Sequence, residues 1–369
     1  MTLVLTEEEI LLVDAVRALL ARAAPVPKFR ALRDSGDPRR YDPDLWRELA
    51  VSGFSAPQIP ESAGGLGMGY TAAGLIAEEM GRVLAASPFH STALAAELML
   101  DGAKADTLAP LIAGDIIVAV ALDEGARHAP TSIATRAERD GGGFRISGTK
   151  RRVVDGGIAD TLIVSATTAE DASLFQVPSD APGVEIRPLD LLDGRNAADV
   201  TFDNVVLGSE AVIGAPGEAA GRIARMLDVG NVLLACELLG ITQEAFDRTI
   251  AFLKEREQFS RRIGSFQALQ HRAARLFCAL ELARGVALKA LRALDEADPA
   301  TTQLASLAKA VLTRTARETL NEAIQMHGGI GVTDELDIGL FFKRARAIGD
   351  WLGDDYYHRE RLAKIVWGM

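Results

Sequence analysis

The chain has 369 residues, of which 48% are hydrophobic and 25% are charged, and its formal net charge is −11 at pH 7. The apolar content excludes a disordered chain, because burying it offsets the entropy lost on folding. At roughly 100–200 residues per domain, the length predicts two or three domains. The acidic balance disfavours a nucleic-acid partner, since duplex binding needs a basic face.

Cysteine content and the N-terminal segment bear on the compartment. Cys236 and Cys278 are the two cysteines, too few for a disulfide framework. The opening MTLVLTEEEILL lacks the basic and long apolar regions of a signal peptide. No run of about 18 apolar residues occurs, which argues against a membrane span. We expect a cytoplasmic protein without a transmembrane segment.

The N-terminal third of the chain predicts helices. The TEEE segment at residues 6–9 is a capping-box pattern, and apolar residues then recur at helical spacing. Further helical stretches cover residues 44–51 and 71–85, and residues 60–67 between them are rich in turn residues. The pattern predicts an N-terminal helical domain over residues 1–114.

From about residue 115 the pattern changes to short β-branched runs separated by turn residues. Six runs are candidate strands, at residues 116–121, 144–146, 162–166, 174–177, 184–186 and 200–202. Two of them show the period-two alternation of a half-buried strand. These runs predict a middle antiparallel β domain over residues 115–212.

The remainder of the chain again predicts helices. One helix carries a stripe of apolar residues at Leu276, Leu280, Ala283, Ala287 and Leu291. Pro299 separates it from a helix over residues 302–326, and the GGIG segment at residues 328–331 ends that helix. We predict a C-terminal helical domain over residues 213–369, and therefore an α+β fold class.

Two segments in the C-terminal domain contain candidate ligand contacts. Residues 256–267 read REQFSRRIGSFQ, in which arginine suits phosphate, phenylalanine suits a flat base and glutamine suits polar edges. The alternative is an ordinary basic helix end. Residues 325–331 read QMHGGIG, whose glycines either admit a ligand close to the backbone or only end the helix. No second His or Cys stands at ligand spacing from His327, so no metal site is expected.

Together these segments resemble the acyl-CoA dehydrogenase family over essentially the whole chain. LTEEEILL, WRELAVSGFSAPQIPESAGGLGMG and EEMGRVLAASP are similar to its N-terminal domain, and REQFSRRIGSFQ and QMHGGIG are similar to its two C-terminal signatures. The resemblance implies that the C-terminal helical domain is a four-helix bundle. It implies FAD, an acyl-CoA substrate and an electron-transferring flavoprotein as acceptor. It also implies a homo- or hetero-oligomer, a dimer or tetramer, in which each flavin lies across a subunit boundary.

The resemblance implies one intact and one altered half of the flavin site. Contacts to the adenine and pyrophosphate of a neighbour's FAD would come from Arg256, Phe259, Gln267, Gln325, Gly328 and Gly329. The family's Thr-Glu-Pro-Gly-x-Gly-Ser-Asp run in the β domain is LDEGARHA here, at residues 122–129, with Leu122 and His128 in place of hydroxyls. The family's Trp-Ile-Thr, which packs on the flavin ring, is RVV at residues 152–154.

The catalytic base is missing from its usual positions. In most family members a glutamate precedes Gly-Thr near the C-terminus, where this chain has Leu352, and a second family location matches Gly230. The nearest following carboxylate on that helix is Glu237, about 10 Å along the axis. We predict Glu237 as the base, because a lone glutamate among apolar residues is often functional. The alternative is a structural hydrogen bond between helices, and Asp350 and Asp354 are weaker candidates.

Taken as a whole, the chain resembles the small subunit of two-subunit acyl-CoA dehydrogenases of the pimeloyl-CoA and steroid side-chain type. It would then dehydrogenate a CoA thioester to the 2-enoyl-CoA while sharing flavin sites with a partner chain. A self-sufficient enzyme and a non-catalytic structural or CoA-binding subunit remain open as alternatives. Lys343, Arg344 and Arg346 either meet CoA phosphates or, as we expect, form an exposed basic helix face.

Overall fold

The protein is described by a computed structural model over residues 3–100 and 105–368. Its elements follow the predicted order of helices, sheet and helices. Internal contacts group the chain into two compact units. Unit 1 combines Met1–Arg30, Tyr70–Ala85 and Asn231–Met369, and unit 2 combines Ala31–Gly69 and Ala86–Gly230. The boundaries of the three predicted domains stay predictions.

Helices dominate the N-terminal third, as predicted. They are α1 (Glu7–Ala23), α2 (Val26–Ser35), α3 (Pro43–Val51), α4 (Gly69–Val83), α5 (Phe89–Met99) and α6 (Ala105–Ile112). The capping box at the start of α1 is confirmed. The Thr6 hydroxyl accepts the Glu9 N–H at 3.2 Å, and the Glu9 carboxylate accepts the Thr6 N–H at 2.9 Å. Two of the four backbone donors left free at the start of a helix are therefore satisfied within the sequence motif itself.

The sheet lies in unit 2. Its strands are β1 (Val118–Ala121), β2 (Arg136–Asp140), β3 (Gly143–Val154), β4 (Thr161–Thr167), β5 (Ala172–Pro178), β6 (Val184–Pro188), β7 (Ala197–Leu207) and β8 (Val212–Ile213). The strand order is β6-β7-β3-β2-β4-β5-β8, with β1 paired to β4. Phe144, Ile146, Val200 and Phe202 are buried in its core, which confirms the predicted alternation.

The prediction of an antiparallel sheet holds for most strand pairs and is wrong for two. β1 and β2 both run parallel to β4. After β1 the chain passes through a loop and the β2–β3 hairpin before it returns as β4, and this long crossover allows parallel pairing. The strand β2 escaped prediction because its sequence, RAERD, is mostly charged and exposed.

Helices make up most of the remaining chain. They are α7 (Ala219–Glu255), α8 (Gln267–Asp295), α9 (Thr301–His327), α10 (Ile338–Asp350) and α11 (Asp355–Trp367). A two-stranded hairpin, β9 (Glu257–Gln258) and β10 (Arg261–Arg262), joins α7 to α8. All five residues of the predicted apolar stripe on α8 are buried.

Two glycines let α4 and α7 cross with their backbones in close contact. A Cβ atom added at Gly81 would collide with the carbonyl oxygen of Glu237, and one added at Gly240 would collide with that of Glu78. Any larger residue at either position would push the helices apart. This crossing fixes the position of the α7 turn that bears Glu237.

Candidate functional site

The first predicted ligand segment forms a tight hairpin in unit 1. Gln258 pairs with Arg261, which leaves Phe259 and Ser260 as the two turn residues. Their φ angles are 54° and 62°. Two positive φ angles are typical of a type I′ turn, which Asn and Gly usually occupy. Phenylalanine and serine are strained there, and such strain often marks functional positions.

The side chains predicted to bind the cofactor point out of this hairpin. The backbone of Arg256 closes its base, with the N–H donating to the Phe252 carbonyl and the carbonyl accepting the Ile263 N–H, both at 2.8 Å. The Arg256 side chain and Gln267, the first residue of α8, are exposed. Phe259 is 86% exposed. The hairpin therefore presents a guanidinium, an aromatic ring and an amide to the surroundings.

The second predicted segment lies at the end of α9. Gln325 is exposed in the last turn, and the following Gly328 and Gly329 are exposed at the start of a 3-10 helix, Gly328–Val332. Gly328 has a φ of 67°. A Cβ atom added at either glycine would meet nothing within 4 Å. These glycines are thus open to a ligand or to another chain.

A ring contact holds the two segments at the same end of unit 1. The rings of Phe252 and His327 lie 4.4 Å apart between centroids. His327 Nδ1 donates to the Ala323 carbonyl at 2.7 Å, and burial lowers the pKa of this histidine. Phe252 lies one turn before Arg256, and His327 directly precedes Gly328. The structure therefore brings the hairpin and the glycine segment next to each other, with His327 in a structural role.

Glu237 does not lie with these residues. It is 15 residues before Phe252 on α7 (252 − 237), about 22 Å along the helix axis. Its carboxylate is buried, 3.9 Å from the Arg344 guanidinium. The guanidinium carbon of Arg344 lies 5.7 Å from the ring centroid of Phe29. Arg344 is only 4% exposed, so the expected exposed basic face is wrong at this residue, which faces the packed interior of unit 1.

Leu352 stands at the family's usual position for the base, and buried polar side chains bind the backbone of residues 351–353 around it. Lys309 Nζ donates to the carbonyls of Trp351 at 2.5 Å and Gly353 at 3.0 Å. His358 Nε2 donates to the Leu352 carbonyl at 3.0 Å. Leu352 itself is buried and has a φ of 57°. Burial lowers the pKa of Lys309 to about 7.

The two weaker candidates for the base have different surroundings. Asp354 caps α11 by accepting the Tyr357 N–H at 2.8 Å, which is a structural task. Asp350 is exposed at the end of α10 and lines a groove with Arg317 and Arg346. Both carboxylates are exposed, so neither lies in a buried apolar pocket.

In unit 2, the carboxylates of Asp123 and Glu124 accept hydrogen bonds from nearby side-chain and backbone donors. The Asp123 carboxylate accepts His128 Nδ1–H at 2.9 Å and the Ala129 N–H at 3.0 Å. The Glu124 carboxylate accepts the N–H groups of Ala134 at 2.7 Å and Thr135 at 3.0 Å. The segment over residues 122–135, which we call the β1–β2 loop, thus satisfies these donors internally.

A buried lysine on β3 binds the start of the β1–β2 loop. Lys150 on β3 is 0% exposed, and its Nζ donates to Glu124 at 2.7 Å, Ser165 at 2.9 Å and the Leu122 carbonyl at 3.1 Å. Burial lowers the pKa of Lys150, and the Glu124 carboxylate opposes this. Burial also raises the pKa of Glu124, but the bonds from Lys150 and Thr135 outweigh it, so that the pKa of Glu124 is lowered.

Arg152 stands where the family has tryptophan, and it folds back onto the β1–β2 loop. Its φ is 50°, its N–H donates to Asp199 at 3.0 Å, and its Nη2 donates to the Gly125 carbonyl at 3.2 Å. Asp199 also pairs with Arg151 and Arg187, each at 2.8 Å. The guanidinium is therefore engaged by the protein's own backbone.

The two regions differ in how well they suit a flavin nucleotide. The exposed side chains and open glycines of unit 1 fit an adenosine diphosphate group, which needs a phosphate partner, a stacking surface and close backbone approach. The β1–β2 loop does not fit a flavin ring. Its N–H donors at Ala129, Ala134 and Thr135 already bind carboxylates, and Leu122 is a buried apolar side chain.

Sequence reasoning missed Lys150, Lys309 and the burial of Arg344. The burial of Lys309 could have been predicted from the sequence, because its neighbours on α9, such as Ala308 and Leu312, are apolar. Lys150 is followed by two further cations and gave no such signal.

Other kinds of chemistry find little support in the part of the chain that is described. Within residues 3–100 and 105–368, no three His, Cys, Asp or Glu side chains are placed to hold a metal ion. In the same ranges, none of the helices is both long and apolar enough to cross a membrane. Cys236 is buried, which raises the pKa of its thiol, and Cys278 is exposed.

Comparison with known proteins gives a match along the whole chain. Residues 6–115, 119–205 and 220–367 match the N-terminal, middle and C-terminal domains of acyl-CoA dehydrogenase, respectively. The acyl-CoA dehydrogenase IpdE2 of Mycobacterium tuberculosis (strain H37Rv) is 33% identical over 364 residues, which are 98% of each chain.

Solved structures show the same likeness. A variant of the Tcur3481-Tcur3483 steroid ACAD has a TM-score of 0.88 and 32% identity, with 98% of each chain covered. The ChsE4-ChsE5 complex from Mycobacterium tuberculosis has a TM-score of 0.89 and 25% identity, with 100% of this chain and 99% of that chain covered. The similarity therefore extends over both helical segments and the sheet.

Proposed function

The chain belongs to the acyl-CoA dehydrogenase family, and on that premise we propose that it is a FAD-dependent subunit that shares its flavin sites with a second acyl-CoA dehydrogenase-like chain. As a family member it is an oxidoreductase that acts on the CH–CH group of CoA thioesters. One observation carries the proposal. The hairpin and glycine segment of unit 1 are exposed and open to a nucleotide, whereas backbone donors of the β1–β2 loop in unit 2 already bind carboxylates of this chain.

The reaction removes two hydrogens from the α and β carbons of the acyl group. It needs a carboxylate for the α-proton and hydrogen-bond donors for the charge that develops on the thioester oxygen. Bound FAD would supply the acceptor for the hydride that leaves the β-carbon. Leu352 offers no proton acceptor at the family's usual position, so this chain needs either a relocated carboxylate or one from its partner.

The contribution of this chain is to bind the adenosine diphosphate end of the cofactor. Arg256 would pair with phosphate oxygens, in charge-assisted bonds worth about 1.5–3 kcal/mol. Phe259 would stack on the adenine, a contact worth about 1–3 kcal/mol for a base on an aromatic ring. Gln267 and Gln325 would bind polar edges of the nucleotide. The exposed glycines at the end of α9 would let its backbone approach the ligand.

The related assemblies support the partner and substrate parts of the proposal. One similar structure is described as a ChsE4-ChsE5 complex and another as a steroid ACAD with two named components. By analogy we propose a hetero-oligomer, an acyl-CoA substrate with a polycyclic acyl group, and an electron-transferring flavoprotein as electron acceptor. The analogy concerns the family branch and does not depend on a substrate pocket of this chain.

The composition of the native assembly tests this proposal directly. The tagged chain is purified from its own cells, the co-purifying proteins are identified by mass spectrometry, and released FAD is counted against each chain. We expect an acyl-CoA dehydrogenase-like partner, fewer than one FAD per chain, and a colourless protein when this chain is produced alone. A homo-oligomer with one FAD per chain that oxidises an acyl-CoA would overturn the proposal.

A self-sufficient enzyme with Glu237 as its base is a second candidate. The burial of Glu237 favours it, because a buried glutamate among apolar residues is often functional. Glu237→Gln would then abolish turnover and leave FAD bound. Glu79→Gln is the matched control, since Glu79 is a buried glutamate of unit 1 that bonds to Arg17 at 2.8 Å. Normal turnover of the Glu237 variant would reject Glu237 as the base.

The loss of both usual base positions, at Leu352 and Gly230, also fits a non-catalytic structural or CoA-binding subunit. Calorimetry of the native assembly and of the isolated chain with a CoA thioester distinguishes a structural subunit from a CoA-binding one. No heat of binding in either the assembly or the isolated chain would reject CoA binding. Binding by the isolated chain would support it.

A further inference from the structure

The β1–β2 loop is ordered by hydrogen bonds within the chain. The N–H groups of Ala129, Ala134 and Thr135 each donate to a carboxylate of Asp123 or Glu124. A ligand could bind these donors only by displacing a carboxylate. A displaced carboxylate would need a new partner, because an unsatisfied charged group is costly in a partly buried place.

Lys150 prevents Glu124 from moving away to make room. The Lys150 ammonium is fully buried and bonds to Glu124 at 2.7 Å. If Glu124 rotated toward solvent, the ammonium would lose its anionic partner inside the sheet, which is strongly unfavourable. The loop is therefore fastened from the side of the sheet as well as by its own backbone.

A β-bulge turns Arg152 toward the loop. In the pairing of β3 with β7, Lys150 opposes Val200 and Val153 opposes Ala198, so β3 contains one extra residue between these pairs. A bulge of this kind redirects side chains and is common beside active sites. Arg152, within the bulge, has the positive φ that non-glycine residues rarely adopt.

Two bonds hold Arg152 in this strained conformation. Its N–H donates to Asp199, and its guanidinium donates to the carbonyl of Gly125 on the loop. A strained residue that persists because its surroundings hold it in place points to function. Arg151 provides an internal comparison. Its guanidinium also bonds to Asp199, while its described bond to the loop is made by the backbone N–H, to the Asp123 carbonyl at 2.7 Å, and would survive a change of side chain.

We propose that Arg152 acts as a latch, by which we mean that the bond from its guanidinium to the Gly125 carbonyl holds the β1–β2 loop in a conformation that does not admit a flavin ring. Arg152 would then determine which part of the cofactor this chain can bind. The chain would contribute to flavin binding only through the adenosine diphosphate contacts of unit 1. The inference rests on the proposed function, because it assumes that FAD binds to the assembly. It goes beyond that function by naming the residue that closes the loop.

Hydrogen–deuterium exchange of the native assembly, with FAD bound and after its removal, tests the proposal without any variant. We expect FAD to protect peptides over residues 256–267 and 325–331 of this chain and to leave residues 122–135 unchanged. Protection of residues 122–135 together with the unit 1 peptides would overturn the latch and leave the proposed function intact. No protection in any of these peptides would reject the proposed cofactor role of this chain, and the latch with it.

Arg152→Ala tests the latch itself. Loss of the bond to Gly125 should speed exchange at residues 122–129 about tenfold, since one charge-assisted hydrogen bond is removed. Arg151→Ala is the matched control, because it removes a neighbouring arginine that also bonds to Asp199. Equal exchange in the two variants would overturn the latch. Arg152→Lys, which keeps the charge and lacks the guanidinium fork, should give an intermediate rate and guards against misfolding of the alanine variant.

Discussion

The hairpin of unit 1 and the β1–β2 loop of unit 2 use arginine in opposite ways. In the hairpin, the backbone of Arg256 closes the structure while its side chain is exposed. In unit 2, the side chain of Arg152 bonds to the Gly125 carbonyl. A cation that already binds the protein's own backbone is less available to a ligand. A cationic residue near a motif therefore indicates a binding site only when its side chain is free to reach the ligand.

Backbone strain also has different consequences in the two regions. The positive φ angles of Phe259 and Ser260 place a largely exposed aromatic ring at the tip of a hairpin. The positive φ of Arg152 instead brings a side chain back onto a loop, with Asp199 holding the backbone. The first conformation displays a side chain, and the second closes a surface. The following predictions test this contrast.

Lys150→Met should have the largest effect, because it removes the three bonds that the buried ammonium donates to Glu124, Ser165 and the Leu122 carbonyl. A buried acceptor left unsatisfied costs about 1–3 kcal/mol, so the unfolding free energy should fall by about 3 kcal/mol or more. Urea unfolding followed by circular dichroism measures this loss. Arg145→Met, on the same strand in an exposed pair with Asp140, should cost at most about 1 kcal/mol. Similar losses in both variants would show that the loop does not depend on its buried lysine.

Lys309 shows whether a buried ammonium in unit 1 behaves like Lys150. Its pKa in the folded protein is about 7, below its ordinary value of 10.5. Between these values the unfolded chain binds more protons, so unfolding free energy should rise with pH, by at most ~1.4 kcal/mol per pH unit from this group. Urea unfolding at pH 7, 8 and 9 should show this rise relative to Lys309→Met. A constant difference between the two proteins would contradict it.

Arg256→Ala should weaken FAD binding to the native assembly about 10- to 100-fold, since a bond to phosphate worth about 1.5–3 kcal/mol is lost. Unfolding free energy should change by less than about 0.5 kcal/mol, because the side chain is exposed. Fluorescence titration of apo-assembly with FAD measures the affinity. Arg275→Ala, an exposed arginine of α8, serves as control. If Arg152→Ala weakened FAD binding as much as Arg256→Ala does, the two regions would not differ in their contribution to FAD binding.

Ser260→Gly should have the smallest effect, a gain of about 0.5 kcal/mol in unfolding free energy. Glycine adopts the positive φ of this turn position without strain, although its freedom in the unfolded chain cancels part of the gain. Ser265→Gly is the contrasting variant, because the Ser265 hydroxyl donates to the Arg262 carbonyl at 2.7 Å. It should destabilise the protein. A loss of stability in Ser260→Gly would mean that the turn is not strained.

The order of the elements and the positions of the exposed ligand segments follow from local patterns in the amino-acid sequence. The capping box at Thr6, the alternation along β3 and the apolar stripe of α8 are patterns between near neighbours in the chain, and local geometry converts them directly into structure. The residues of the hairpin could likewise be named from their motif. Their assignment to the cofactor stays a prediction.

Local patterns do not reveal which charged residues are buried and what they bind. The sequence predicted an exposed Arg344 and gave no sign that Lys150 supports a loop or that Arg152 closes it. The parallel pairing of β1 with β4 also escaped prediction. The physical reason is the same in each case. Burial and partner choice depend on elements that are distant in the chain and meet only after folding, whereas periodicity and capping act between residues a few positions apart.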